Sequence, residues 1–267
     1  LQYDMGMEPY YDYLAFKQGM ESGSKYYTIG DSFYREVAFF FNGTYSYKGR
    51  YTINGTYRYE GTNKMGKSRK ARWLPTWNIS GAWNVHEEKF FSHVQPALSH
   101  LSLKASYSLT ADRGPSYVTN SLAVIKASTP WRPTSGDTET GLKVSSLDNA
   151  QLTYEKKHEL NLGLDVGFVN NRINLAFDWY KRNNFDLIGT VTTQGIGGEI
   201  SKYGNVAEMK SNGVEISLST KNVQTKNFSW TTNFIYSHIH NEVTKLETST
   251  RAMTLVSGTG FTMEGYP

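Results

Sequence analysis

The chain has 267 residues, and its 28 Lys and Arg residues outnumber its 24 Asp and Glu residues to give a formal net charge of +4. Aromatic residues make up 14% of the sequence, which contains no cysteine. The apolar content excludes a disordered chain, and the lack of cysteine excludes disulfides and thiolate metal sites. No apolar run reaches the roughly 18 residues of a transmembrane helix. The weak positive charge is spread along the chain, so no nucleic-acid partner is expected.

Alternation of apolar and polar residues predicts a β-strand wherever it persists, because successive strand side chains point to opposite faces. The first two predicted strands, 37–47 and 51–60, flank the short turn 48–50 and form a hairpin with one apolar wall. Further strands are predicted at 73–85, 101–110, 159–168, 173–180, 214–218 and 229–237. No segment of comparable length has helical periodicity. The sequence therefore predicts an all-β fold of about eight antiparallel strands, many of them long.

The predicted connections differ in length in a regular way. Short turns at 48–50, 169–172 and 221–227 and a medium connection at 86–99 alternate with long segments at 61–72, 111–157 and 183–212. A transmembrane β-barrel has this pattern because its periplasmic turns are short and its extracellular loops are long. A soluble β-sandwich has no reason to place every long loop at one end.

Barrels and sandwiches both have one apolar and one polar face, so alternation alone does not distinguish a transmembrane barrel from a soluble sandwich. The residue types on the polar face help to distinguish them. The polar positions here carry mostly Asn, Thr, Ser and Gly, whereas soluble surfaces usually carry Lys and Glu. Aromatic residues such as Tyr45, Tyr47 and Tyr51 gather near predicted strand ends, as in the interfacial girdles of membrane proteins. These features favour a transmembrane β-barrel, with the sandwich as the alternative.

A series of motifs accompanies these strands in a fixed order. The first are GRYTI at 49–53, RWLPTW at 72–77, GAW at 81–83, EEKFF at 87–91 and LSLKASY at 101–107. The later ones are NLGLDVGF at 161–168, DWYKR at 178–182, NGVE at 212–215 and GYP at 265–267. In this order the motifs resemble those of the SusC/RagA-type TonB-dependent transporters of Bacteroidetes outer membranes. Departures such as YEGTNKMG at 59–66 lie in predicted loops, so they bear on substrate rather than on fold.

The resemblance implies a barrel of about 22 strands, an N-terminal plug, a TonB-contacting segment and a surface lipoprotein of the SusD type. Residues 1–267 would then be an arc of that barrel in the outer membrane of a Gram-negative, Bacteroidetes-type bacterium, with the plug and the TonB-contacting segment outside this chain. The implied function is TonB-dependent import of an oligosaccharide or oligopeptide, with no enzymatic chemistry and no cofactor. A homodimer of transporter–lipoprotein pairs is also compatible with the resemblance. A glycan-binding β-sandwich adhesin and a passive porin are the alternatives.

Two groups of residues are candidates for binding substrate. The long segment 111–157 carries Tyr117, Trp131, Arg132 and Asp137, whose rings and polar groups suit sugars or peptides. Packing against a partner protein explains these four residues equally well. The second group lies on the polar wall and comprises Asn42, Asn54, Arg58, Asp165, Asp178 and Glu215. Its members either line a solute path or belong to hydrogen-bond networks between strands.

Five cationic residues cluster in the predicted loop 61–72, namely Lys64, Lys67, Arg69, Lys70 and Arg72. At the extracellular rim of a barrel the nearest anions are lipopolysaccharide phosphates, so these residues are candidates for contacting outer-membrane lipid. A solvated loop is the alternative interpretation. His238 and His240 share one strand face, but no third ligand is evident in the sequence, and no metal site is expected.

Overall fold

The computed structural model describes residues 34–66, 69–95, 97–114, 123–128, 141–195, 201–247 and 262–266. Its main element is one eight-stranded antiparallel sheet that comprises β1 (Glu36–Tyr47), β2 (Tyr51–Thr62), β3 (Trp73–Asn84), β4 (Leu98–Asp112), β7 (Glu155–Phe168), β8 (Ile173–Thr192), β9 (Ser201–Gln224) and β10 (Ser229–Leu246). A separate hairpin pairs β5 (Val124–Ser128) with β6 (Gly141–Ser146), and α1 (Arg69–Arg72) is a single helical turn. Within the described ranges, no helix has the length and apolar character needed to cross a membrane.

The all-β prediction is confirmed, and each of the eight strands predicted from alternation is present in the sheet. The predicted long connection 183–212 is wrong, because β8 continues to Thr192 and β9 already begins at Ser201. The predicted loop 111–157 also contains β5 and β6. The extension of β8 does carry apolar Phe185, Leu187, Ile188 and Val191, but register shifts between Asn184 and Ile188 break their alternation. β5 and β6 are only five and six residues long, too short for their alternation to stand out in a long segment.

The two ends of the sheet differ. At one end, called here the turn end, short connections at 48–50, 169–172 and 225–228 join successive strands. Lys48 and Gly49 have positive φ values of 53° and 70°, and the Arg50 N–H donates to the Tyr47 carbonyl at 3.0 Å, which closes the first hairpin tightly. The opposite end, called the loop end, carries α1 and the long segments that precede β7. The long connections after β2 and before β7 therefore lie at one end of the sheet, as predicted, whereas the predicted long connection 183–212 is mostly strand.

The register sets apolar residues opposite apolar residues across the whole sheet. One such row runs through Tyr47, Tyr51, Trp83, Leu103, Leu164, Phe177, Ile216 and Tyr236. The alternate positions form a polar wall, in which one row runs through Asn42, Thr56, Asn78, Ser108, Glu159, Arg182, Ser211 and Asn241. Many side chains of the apolar face are exposed, including Phe41, Ile53 and Ile79 at 69%, 59% and 59%. This face is therefore not covered by any described part of the chain.

The boundary of the apolar face crosses the strands diagonally. Towards the loop end, the last large side chains of its continuous apolar run are Leu109 on β4, Leu160 on β7, Trp179 on β8, Val214 on β9 and Tyr236 on β10. Ala111, the next outer-face residue of β4, packs against a buried cluster at the loop end instead. Following the register from Leu109 across the same strands leads to Glu242, which lies six residues beyond Tyr236. Six residues span about 20 Å along a strand and four strand spacings about 19 Å, so the strands are tilted by about 45° relative to this boundary. Transmembrane barrels have strand tilts of about this size.

Aromatic rings mark both limits of the apolar face. Tyr51 stacks on Trp83 at the turn end with a centroid distance of 6.1 Å, and Tyr59 stacks on Trp73 at the loop end at 5.0 Å. At the turn end the Tyr51 hydroxyl and the Trp83 Nε1 both donate to Glu88 Oε1, at 2.6 and 3.3 Å, while Arg50 lies 3.2 Å from Glu88 Oε2. Apolar rings with satisfied polar atoms are characteristic of membrane–water interfaces.

Candidate functional site

The polar wall is held together by ion pairs between neighbouring strands. Glu159 on β7 accepts from Arg182 on β8 at 3.0 Å and lies 2.8 Å from the Lys157 ammonium, while the Arg182 guanidinium also covers the Tyr180 ring at 4.0 Å. Towards the turn end, Lys104 on β4 pairs with Asp165 on β7. These contacts neutralise most of the charge of the wall locally.

The predicted wall residues Asn42 and Arg58 lie close together on β1 and β2, because Asn42 is opposite Thr56 and Arg58 is opposite Phe40. The Arg58 guanidinium contacts Glu60 at 2.5 Å and Glu36 at 3.4 Å. The Glu36 carboxylate also forms an ion pair with the Arg113 guanidinium, at 3.1 Å. Arg58 is therefore a member of an inter-strand network, which was one of the two roles that the sequence left open for the wall residues.

Asp178 and Glu215 form a second predicted pair, which the register places directly opposite each other on β8 and β9. Gly163 faces Asp178 from β7, and a Cβ at Gly163 would lie 2.8 Å from Asp178 Oδ1. Among the described residues, neither carboxylate has a salt-bridge or hydrogen-bond partner. β2 and β8 are four strand spacings apart, or about 19 Å, so the sheet does not bring this acidic pair together with Arg58.

At the loop end, two connecting segments pack into a small core that the sequence did not predict. Met65 from the segment after β2 and Tyr154 from the segment before β7 are 0% and 1% exposed, and they form one buried cluster with Leu74. The Gly66 N–H donates to the Leu152 carbonyl at 2.8 Å, and the Tyr154 hydroxyl donates to a backbone carbonyl in α1 at 3.3 Å. This unit, residues 63–66 and 149–154 with Leu74, is called the loop assembly below.

Asn205 on β9 fixes the loop assembly to the sheet. Its amide oxygen accepts from the Thr153 N–H at 2.9 Å, and its amide nitrogen donates to the Thr153 and Asp186 carbonyls at 2.8 and 2.6 Å. Asp186 has a positive φ of 56°, next to a register shift between β8 and β9. The sequence gave no indication of the segment that Asn205 contacts.

A polar cavity of about 280 Å³ lies beside the loop assembly, between β4, β7 and β8. Its lining includes Asp112, Glu155, Lys157 and Asn184. The Glu155 carboxylate accepts from the Ile188 N–H at 2.8 Å, which fixes the acidic side of this cavity. Groups of both charge signs therefore meet at the loop end, where they can contact hydroxyl, amide or charged groups of a solute.

The remaining predicted residues are placed as follows. Lys64 belongs to the loop assembly, and Arg69 and Lys70 are exposed on α1. Arg72 donates from its Nε to the Gly66 carbonyl at 3.1 Å. Arg72 is thus hydrogen-bonded to the backbone of its own loop. Lys67, Tyr117, Trp131, Arg132 and Asp137 fall outside the described residues.

Long tilted strands, an apolar outer band between aromatic girdles and an ion-paired polar wall define the class of this fold as an outer-membrane type of β-barrel sheet. The family model described as TonB dependent receptor-like, beta-barrel matches residues 2–265. The chain therefore belongs to the TonB-dependent receptor β-barrel family, in agreement with the resemblance noted in the sequence.

Curated relatives are similar over most of this chain. TonB-dependent receptor P26 of Formosa agariphila is 29% identical over 211 residues, which cover 79% of this chain and 21% of the relative. TonB-dependent receptor SusC of Bacteroides thetaiotaomicron is 30% identical over 182 residues, or 67% of this chain and 18% of the relative. The chain therefore spans about a fifth of the length of the curated relatives it matches.

Solved structures give the same result. The RagAB peptide transporter matches with a TM-score of 0.69 and 27% identity, over 80% of this chain and 23% of the solved chain. The RagAB peptide importer in its closed-closed state matches with a TM-score of 0.73 and 26% identity, over 88% of this chain and 25% of the solved chain.

Proposed function

We propose that this chain forms part of the wall of a Gram-negative outer-membrane importer, which is driven by TonB and takes up an oligopeptide or oligosaccharide together with a SusD-like surface lipoprotein. The observation that carries the proposal is the tilted apolar band on one face of the sheet with an ion-paired polar wall behind it. The apolar band is needed for contact with the hydrocarbon core of a bilayer, and the polar wall is needed to line a water-filled solute path. Residues 1–267 all belong to the barrel domain in this proposal.

Similarity to proteins of known role supports the proposal. The two solved structures described above are of a peptide transporter, which favours an oligopeptide as one class of cargo. The matches to SusC and to the Formosa receptors support coupling to TonB. The SusD-like partner follows from the resemblance to the SusC/RagA type, and the loop end is the side on which such a partner would sit.

The importer needs no covalent chemistry in this wall. Because most wall charges are paired with each other, a solute meets a largely neutral, hydrogen-bonding surface that does not hold it tightly. Asp178 and Glu215 are the exception, and they can accept hydrogen bonds from hydroxyl or ammonium groups. The substrate-contacting residues that we propose are Tyr117, Trp131, Arg132, Asp137, Asn42, Arg58, Asp178 and Glu215.

The first test asks which face meets lipid. Ile79 lies midway along the apolar positions of β3, and Ser80 is its neighbour on the polar wall. Ile79→Arg should destabilise the intact protein in liposomes by about 2–4 kcal/mol, the cost of Arg near a bilayer midplane. Ser80→Arg, the matched control, should cost much less in the same urea titration. An equal or larger cost for Ser80→Arg would refute the membrane orientation and favour a sandwich.

The second test concerns energy coupling. Cells that carry the intact protein should accumulate its oligopeptide or oligosaccharide cargo only when TonB is functional, and deletion of the gene should abolish that uptake. Uptake that persists without TonB would refute active import and support the passive porin. Removal of the neighbouring surface lipoprotein should reduce uptake at low cargo concentration if the partnership is correct.

A further inference from the structure

A group of basic side chains lies on the outer face of the sheet, directly beyond the apolar boundary. Lys181 is the next outer-face residue after Trp179 on β8, and Lys210 lies two outer-face positions beyond Val214 on β9. His240 on β10 completes the group. All three side chains are exposed.

The register determines how these residues are arranged. Lys181 is opposite Asn212, which is opposite His240, and Lys210 is opposite Asn183 in the adjacent row. Lys210 is thus a diagonal neighbour of both Lys181 and His240, at a spacing of about 7–8 Å. The Asn side chains between them add amide N–H donors to the same patch. These five residues, Lys181, Asn183, Lys210, Asn212 and His240, are called the boundary patch.

Neither of these two lysines has a counter-ion, in contrast to five other strand cations. Lys104, Lys156, Lys157, Arg182 and Lys245 each pair with a carboxylate. Within the described part of the chain, neither Lys181 nor Lys210 has a salt-bridge or hydrogen-bond partner. Glu242 is opposite Lys210 in the register, but it forms no ion pair with that lysine. The boundary patch therefore presents two unpaired positive charges towards the surroundings of the sheet.

We propose that the boundary patch binds the phosphate groups of lipopolysaccharide in the outer leaflet. The diagonal boundary fixes the level of the hydrocarbon edge, and the patch lies immediately on its loop-end side, where lipid headgroups begin. Lysine suits this position, because its apolar stem lies along the lipid-facing surface while its ammonium reaches the phosphates. Each lysine near an anionic lipid surface strengthens binding by about fivefold. This site is distinct from the loop cations at 64–72, and it depends on the proposed location in an outer membrane.

The test uses the intact protein purified from outer membranes and carrying Lys181→Gln and Lys210→Gln. A matched control carries Lys221→Gln and Lys226→Gln, which remove two exposed lysines at the turn end. Binding of purified lipid A with and without its phosphates is titrated by native mass spectrometry. The patch variant should bind phosphorylated lipid A about 25-fold more weakly, two lysines at about fivefold each. Its binding of dephosphorylated lipid A should not change, and the control should match the wild type for both lipids.

Unchanged affinity of the patch variant for phosphorylated lipid A would overturn the inference, as would an equal loss for the dephosphorylated lipid. Displacement of lipid A from the wild type by millimolar inorganic phosphate would point to a site for soluble anions and would also overturn it. Heat-modifiable gel mobility and cargo uptake are measured on the same variants. A variant that still imports cargo but binds lipid A normally refutes the boundary patch alone, whereas a wild-type protein absent from the outer membrane refutes the proposed function.

Discussion

Asn205 offers a quantitative test of whether the loop assembly is a fixed part of the sheet. Its side chain makes three hydrogen bonds, two with Thr153 and one with Asp186, at 2.6 to 2.9 Å. Only the two bonds with Thr153 hold residues 149–154. A hydrogen bond of this kind contributes about 1 kcal/mol net, so Asn205→Ala should remove about 2 kcal/mol from the free energy that keeps this segment closed. The open fraction of the segment should then rise about 30-fold.

Hydrogen exchange of the intact protein in detergent measures this opening directly, because a protected amide exchanges in proportion to its open population. The amides of Thr153 and Gly66 should exchange about 30-fold faster in the variant, since the first bonds to Asn205 and the second to the Leu152 carbonyl. Asn222→Ala is the control, because it removes a side chain that bonds to Thr232 at the turn end. Equal exchange of the Thr153 amide in wild type and Asn205→Ala would refute the role of Asn205.

Two further predictions concern the turn end and the sheet interior. The pKa of the Glu88 carboxyl lies below its ordinary value, chiefly because the Tyr51 hydroxyl donates a hydrogen bond to it. The ionised carboxylate therefore stabilises the folded protein above the ordinary pKa. This stabilisation is lost as the pH falls through the lowered pKa of the folded protein. Glu88→Gln should therefore flatten the acid side of the profile of heat-induced unfolding against pH, and superimposable profiles would contradict this cause. A Cβ at Gly213 would lie 2.5 Å from the Tyr180 hydroxyl oxygen, whereas a Cβ at Gly55 meets nothing within 4 Å. Gly213→Ala should thus cost about 1–3 kcal/mol in urea titrations and Gly55→Ala less than about 1 kcal/mol, and equal midpoints would show that the Tyr180 ring yields freely.

The part of the fold that lies against the apolar face was predictable, because strands there must alternate between two environments. β1 and β2 show this best, since their predicted and observed bounds agree within two residues. Beyond Asn184 the register of β8 with β9 shifts twice, so the apolar residues of β8 no longer keep one period although the strand continues. The extension of β8 to Thr192 was missed for this reason.

The candidate site was predictable only where it follows the strand period. Arg58 and Glu215 lie on the polar wall as expected, but the sequence gave no indication of which of them would be paired. The loop assembly depends on contacts between residues far apart in the chain, such as Met65 with Tyr154 and Asn205 with Thr153. No periodicity records contacts of that kind, so burial of Met65 could not be inferred from its neighbours.

The strand tilt determines the bilayer thickness that matches the apolar face of this sheet. On β2 the apolar positions run from Tyr51 to Tyr59, eight residue steps or about 27 Å along the strand. At a tilt of about 45° this run spans about 19 Å of bilayer thickness between the two aromatic girdles. A hydrocarbon core of about 30 Å would exceed that span and would have to thin around the protein. The hydrocarbon thickness of a bilayer of short-chain lipids therefore matches the apolar span of this sheet. Hydrophobic mismatch disfavours its insertion into the thicker membranes of the same cell.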